Sequence, residues 1–208
     1  MFHIAPRGDG ELDTSAAGAE VAGVDGMLSA YDACWEYMDL SAPTNMSPII
    51  QRASATAAAA RREDPPHYEI LLILTDGVID DMTATKRDIV KASGLPLSII
   101  IVGVGKANFA SMEELDGDGA MLRDTCGHVA QRDIVQFVAF REVAGDAVKL
   151  AKETLAEVPL QISTYFDAEA KRHEDFLAKA AAGAEKARVA DAPPSPPTGA
   201  DAPPAPPP

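Results

Sequence analysis

YEILLILTDGVIDDM, residues 68–82, carries five uninterrupted apolar side chains at 70–74 and then a lone acid, Asp76, followed by a glycine. A strand with one wet face alternates apolar and polar residues, whereas a strand buried on both faces reads as a continuous run. The pattern predicts a strand over 68–75 that is covered on both sides. Functional groups in an open parallel sheet collect beyond the carboxyl ends of the strands, and Asp76 sits at such an end. Three roles are open to it there: holding a hard cation, acting as nucleophile or base, or capping a turn with Gly77.

The flanking sequence alternates helix and strand signals. DMTATKRDIVKASG (81–94) is an amphipathic helix closing on Gly94, and LSIIIVGVG (97–105) is a second continuous apolar strand. Strand, helix, strand at these lengths forms a right-handed βαβ unit. A short helix over 107–115 and a third strand over 132–140 follow, and residues 146–189 are helical in composition with a break at Pro159. Upstream, Val21, Val24, Met27, Leu28, Tyr31 and Trp35 recur at helical spacing within a helix predicted over 20–40. A further helix spans 47–62, with Ser47 as its cap and Pro48 in its first turn. EDPPH (63–67) is a turn, and MFHIA at the amino end resembles the end of a strand. The fold class is α/β, a mainly parallel sheet with helices on both faces.

Composition narrows the function classes. A formal net charge of −14 without a Lys/Arg cluster argues against nucleic acid, whose binding depends on neutralising phosphates, and offers no attraction to anionic lipid. The amino terminus lacks the pattern of a secretory signal, and LPLSIIIVGVG (95–105) is too short to span a bilayer. Cys34 and Cys126 form neither a CxxC pair nor a zinc pattern and are expected to be small buried or half-buried residues in a reducing cytosol. ADAPPSPPTGADAPPAPPP (190–208) has little to pack and reads as a disordered, polyproline-like tail.

Enzyme motifs fail one by one. A phosphatase DxD nucleophile needs an acid where Leu74 stands. A dinucleotide GxGxxG finds Gly103 and Gly105 but Asn108 in the third place, and no P-loop occurs. LDGDGAMLRD (115–124) misses the EF-hand spacing and reads as an exposed turn. His3, His67, His128 and His173 show no ligand or triad spacing and are expected at the surface. A binding module is favoured over an enzyme.

SAPTNMSPII (41–50), the 68–82 stretch, GLPLSIIIVGVGKANFASMEELDGD (94–118), RDIVQFVAFRE (132–142) and LAKETLAEVPLQI (150–162) together resemble, in order and spacing, the carboxyl-terminal von Willebrand factor A (vWA) domain of copines. The likeness covers about residues 21–165. The chain is less similar to the vWA domain of plant RING-type ubiquitin ligases, whose cysteine-rich zinc finger it lacks.

The resemblance implies a Rossmann-like vWA domain and a metal-ion-dependent adhesion site, where few carboxylates leave a cation with an open position for a partner's acid. It puts Thr44 in the threonine role and Asp76 in the role of the second aspartate. The DxSxS motif and first strand of such a site are missing; DTSAA (13–17) has Asp13 and Ser15 but no second serine and reads as a chance match. The expected cofactor is a divalent cation, Mg2+ or Mn2+ with Ca2+ a further candidate, bound weakly or not at all by this chain alone. The missing strand implies an exposed edge and either a strand-complementing partner or self-association.

The expected domain plan is a strand remnant and loop at 1–19, a partial vWA domain at 20–166, a helical extension at 167–189 and the tail at 190–208. The expected partner is an intracellular protein offering an acidic side chain, with no nucleic acid and no direct membrane contact from this chain. The expected place is the cytoplasm, with membrane association in a full-length copine, whose family binds phospholipid in a calcium-dependent way through separate lipid-binding modules. The alternatives are a ubiquitin-ligase relative without its RING, a metal-assisted hydrolase and a non-functional gene fragment.

Overall fold

The computed structural model describes residues 5–6, 12–13, 21–35, 44–117 and 120–190. In chain order the elements are a two-residue antiparallel ladder, β1 (Ala5–Pro6) with β2 (Leu12–Asp13), then α1 (Gly23–Cys34), α2 (Ser47–Ala60), β3 (Glu69–Thr75), α3 (Met82–Ala92), β4 (Leu97–Gly103), α4 (Ala110–Asp116), β5 (Val135–Ala139), α5 (Phe140–Val143), α6 (Ala147–Thr154) and α7 (Val158–Ala190). The predicted ends of the first helix at 20 and 36–40, the DTSAA motif beyond Asp13, and the proline-rich tail from 191 lie outside the described residues.

Among the described residues β3, β4 and β5 form a parallel sheet in that spatial order, with Leu71 opposite Ile99 and Ile99 opposite Val135. Successive side chains of a strand point to opposite faces, and the two faces are occupied differently. Leu71, Ile73, Ile99, Ile101, Val135 and Phe137 join Ile50, Ala57, Ile89, Met112 and Leu115 of α2, α3 and α4 in the main core. On the other face Ile100 and Val102 pack on Val158 and Ile162 of the first turns of α7. The fold is α/β with helices on both faces, as the sequence predicts and consistent with a Rossmann-like vWA domain.

That second face is incompletely covered. Ile70, Leu72 and Leu74 of β3 are 48, 52 and 67% exposed. Together with Ile100, Val102, Val104, Phe140, Leu150 and Leu155 they line an open apolar hollow of about 550 Å³. The expectation that β3 is buried on both faces is therefore corrected for this chain: β3 pairs with β4 alone among the described residues. The helix α1 shows the same departure. Val24, Met27, Leu28, Tyr31 and Trp35 are exposed, and its buried residues are Ala30 and Cys34.

Local details also differ from expectation. Pro159 falls in the first turn of α7 rather than inside a helix, so the break lies between Thr154 and Val158; proline is tolerated there because its missing N–H has no partner to lose. Ser47 is the first residue of α2, and its hydroxyl serves another partner rather than the helix end. Cys34 is buried as expected, but Cys126 is exposed. At the end of β4, a Cβ on Gly103 would lie 2.8 Å from the Phe109 ring, so this glycine serves packing.

The amino end of the sheet is fastened by Arg132, which is 6% exposed. Its guanidinium donates to Tyr68 Oη (3.0 Å), to the Leu97 carbonyl (2.7 Å), to the Gln161 carbonyl (3.3 Å) and to the Leu95 carbonyl. It also stacks over the Tyr68 and Tyr165 rings at 5.7 and 5.3 Å. Ser98 Oγ, against Tyr68 Oη at 2.9 Å, donates to Gln161 Oε1 at 2.5 Å. One cation thus ties β4 and the residue before β3 to the start of α7. By contacts the chain divides after Tyr165; the second unit carries the rest of α7, on which Phe176 and Leu177 are exposed.

Candidate metal-dependent docking site

The loop that follows β3 is built by its acids. Asp81 accepts from the Met46 amide (2.9 Å) and from Thr85 Oγ1 (3.0 Å) through Oδ1, and from the Ser47 amide (2.9 Å) through Oδ2. The first amides of a helix lack intrahelical partners, and here a carboxylate 34 residues away in sequence supplies them for α2. Asp80 makes a reciprocal pair with Thr44: its Oδ2 accepts the Thr44 amide at 2.7 Å and its own amide donates to the Thr44 carbonyl at 3.0 Å. Ile79, 4% exposed, roots the loop in the core. The structure thus brings Thr44 against the loop that starts at Asp76.

Beneath this junction lies Asp88 on α3, 5% exposed. It accepts from Ser47 Oγ (2.6 Å), Gln51 Nε2 (2.7 Å) and Arg87 Nε (2.9 Å). Burial pushes its carboxyl up, but the hydrogen bonds from Arg87, Ser47 and Gln51 outweigh that and hold it down to about 2. The role predicted for Ser47 as a cap passes to Asp81 because the Ser47 hydroxyl is committed to this charge.

The two residues that the resemblance assigns to a metal are not used in this way. Thr44 and Asp76 are both exposed, and among the described residues neither the Thr44 hydroxyl nor the Asp76 carboxylate has a hydrogen-bond or ion-pair partner. Asp76 follows the last residue of β3, whose Thr75 carbonyl accepts the Val104 amide at 2.7 Å and so joins the loop after β4 to the same end of the sheet. Asp81 and one oxygen of Asp80 are engaged in holding the segment at 44–47, while the Thr44 and Asp76 side chains are exposed. That arrangement suits a hard cation that keeps much of its water.

A second group of ligand atoms was not visible to spacing rules. In the hairpin closed by the Arg123–Val129 bridge, Asp124, Cys126 and His128 each place one ligand atom within 4.8 Å of the others. Asp124, 9% exposed, accepts the amides of Cys126 (2.9 Å) and His128 (2.8 Å) through Oδ1, and its Oδ2 lies 2.7 Å from His128 Nδ1. Partial burial opposes ionisation of Asp124, yet the His128 ring and the two amides hold its carboxyl below the ordinary range. His128 is exposed, as the sequence predicts, and it belongs to a cluster that no ligand spacing among the histidines announces. His67 is exposed and pairs with Glu63 at 2.7 Å.

A parallel α/β sheet whose carboxyl end brings a threonine loop to an aspartate loop places the molecule among Rossmann-like vWA domains. Comparison with known proteins narrows this: the family model for copines matches residues 6–174. The chain belongs to the copine family. It is 46% identical over 165 residues to nicotinic receptor-associated protein 1 of Caenorhabditis elegans, covering 74% of this chain and 26% of that protein. It is 43% identical over 155 residues to protein BONZAI 2 of Arabidopsis thaliana, with the same coverage, and 46% identical over 144 residues to copine-C of Dictyostelium discoideum, covering 69% of this chain and 27% of that protein. The chain spans about a quarter of the length of these relatives. Among the described residues no helix is long and apolar enough to cross a membrane.

Proposed function

We propose that this chain is a copine-like protein-interaction module in which Thr44 and Asp76 help hold a divalent cation that receives an acidic side chain from a protein partner. The observation that supports this reading is a division of labour in one loop: Asp81 and the Oδ2 of Asp80 bind the segment at 44–47, while among the described residues the Thr44 hydroxyl and the Asp76 carboxylate have no partner. A cation held by one carboxylate and one hydroxyl keeps a net positive field and open positions, which is what capture of a carboxylate requires. The same reading makes the chain a binding module rather than an enzyme. The name of the C. elegans relative, a receptor-associated protein, is in keeping with such a role.

Two protein ligands give little affinity, so Mg2+ or Mn2+ binds this chain with a dissociation constant of about 1 mM, at the weak end for oxygen-ligand sites. Isothermal titration with Mn2+ tests it: weak saturable heat in the wild type that disappears in Asp76→Ala supports the site, and identical curves for the two proteins reject it. The edge of β3 that has no partner strand among the described residues and the exposed Ile70, Leu72 and Leu74 provide the second surface of the proposal, where a strand from a partner or from another part of a longer polypeptide pairs with β3. Calcium-dependent phospholipid binding, as in the family at large, belongs in this reading to lipid-binding modules outside this chain.

A further inference from the structure

We propose that the Asp124–Cys126–His128 hairpin is a zinc site, separate from the Thr44–Asp76 loop and of different chemistry. The hairpin hangs on the far end of α3 from that loop: the Gln131 amide, just past its closing bridge, donates to Ser93 Oγ at 2.8 Å beyond the last turn of the helix, whereas residues 76–81 precede its first turn.

Three observations carry the proposal. The donors are a carboxylate, a thiol and an imidazole, the set that Zn2+ accepts and that Mg2+ and Ca2+ do not favour. They converge, each ligand atom lying within 4.8 Å of the other two. The loop that carries them is already shaped: the Arg123–Val129 bridge closes it, and Asp124 Oδ1 accepts the amides of both Cys126 and His128. The chain doubles back inside the hairpin, where the Gly127 amide donates to the Asp124 carbonyl at 3.1 Å and Gly127 takes a positive φ of 87°, so the D-x-C-x-H spacing gives three converging ligands from five residues. Little further chain ordering is then needed to assemble the site.

The metal takes the place of a proton. The ionised Asp124 Oδ2 now accepts from His128 Nδ1 at 2.7 Å. Zinc bonds of about 2.0 Å to oxygen and nitrogen at a tetrahedral angle set those two atoms about 3.3 Å apart, so the ring moves back by roughly half an ångström. The imidazole stays neutral by carrying its proton on Nε2, and Cys126 releases its thiol proton to solvent on binding as thiolate. No oxidation state changes. Three protein ligands leave the fourth position to water or to a donor group of another molecule.

Cobalt substitution in the full chain tests the site, because a thiolate bound to Co2+ gives a near-ultraviolet charge-transfer band that an oxygen-only site lacks. The band is expected at one equivalent per chain, absent in Cys126→Ser, and retained in Cys34→Ser and in Asp76→Ala. Zn2+ displacing Co2+ reports affinity, which is expected to fall about tenfold or more in His128→Gln, in line with loss of a ligand. Far-UV circular dichroism confirms that each variant is folded; Cys126 and His128 are exposed, so their replacement leaves the core intact. No band in the wild type, a band lost with Cys34 instead of Cys126, or equal affinity in His128→Gln overturns the proposal and leaves the cluster as a hairpin-closing turn. Because the readout does not involve Asp76, failure here is distinct from failure of the docking site.

Discussion

β3 and β4 are neighbours of equal length and almost equal apolar character, EILLILT beside LSIIIVG. Every residue of β4 is buried, whereas β3 alternates, with Leu72 52% exposed against 4% for Ile100. The difference lies in what flanks each strand. β4 has a partner strand on both sides, helices α2 to α4 on one face and the start of α7 on the other. β3 has one partner strand among the described residues, and its second face opens on the hollow it shares with Leu150 and Leu155. A continuous apolar run therefore states what a strand is suited to, and its surroundings decide how much of that is realised.

Truncation of side chains breaks this comparison first. Ile101→Ala, at the main core, is expected to cost about 3–4 kcal/mol, since a buried branched side chain loses both its transfer energy and its packing. Leu72→Ala, on the open face, is expected to cost less than about 1 kcal/mol. Urea unfolding of the two variants measures both, and equal losses would mean that β3 is as covered as β4. Next in size is Arg132→Ala, expected to cost about 3 kcal/mol, because several acceptors lose a charged donor and Tyr68 and Tyr165 lose the plane between them.

A smaller effect concerns pH. The Asp88 carboxyl is held down to about 2 in the folded chain, below about 3.9 when unfolded. A group with a lowered folded value stabilises fully above its unfolded value and loses that contribution as the pH falls towards the folded one. The wild type should lose about 2 kcal/mol between about pH 4 and pH 2 from this residue. In Asp88→Asn that part of the acid dependence should vanish, as judged by denaturant midpoints across the range. An unchanged slope would remove Asp88 from the account.

The strand–helix–strand order from Glu69 to Gly103 was legible because burial on a sheet and on a helix leaves distinct periods in the sequence. Thr44 and Asp76 enter as candidates only through resemblance to a family, since one threonine and one aspartate carry no spacing of their own. The work of Asp80 and Asp81 was hidden, although the paired acids stood in plain view before α3, because the amides they accept lie 34 to 36 residues upstream. Arg132 read as the start of a strand; that it would meet the Leu95 and Leu97 carbonyls depends on parallel register, which no local pattern encodes. Asp124, Cys126 and His128 escaped because zinc rules look for CxxC or HxxxH spacing, and the tight turn of this hairpin brings a D-x-C-x-H set together instead. The apolar spacing of α1 was read correctly as a stripe, but its cover is absent among the described residues.

The most direct test of the docking account is Mn2+-induced broadening of amide resonances in the full chain. The account predicts broadening centred on Thr44 and residues 76–80, saturating near millimolar Mn2+ and lost in Asp76→Ala, with the hairpin at 123–129 unaffected. Broadening that persists in Asp76→Ala, or that falls elsewhere and spares Thr44, would contradict it.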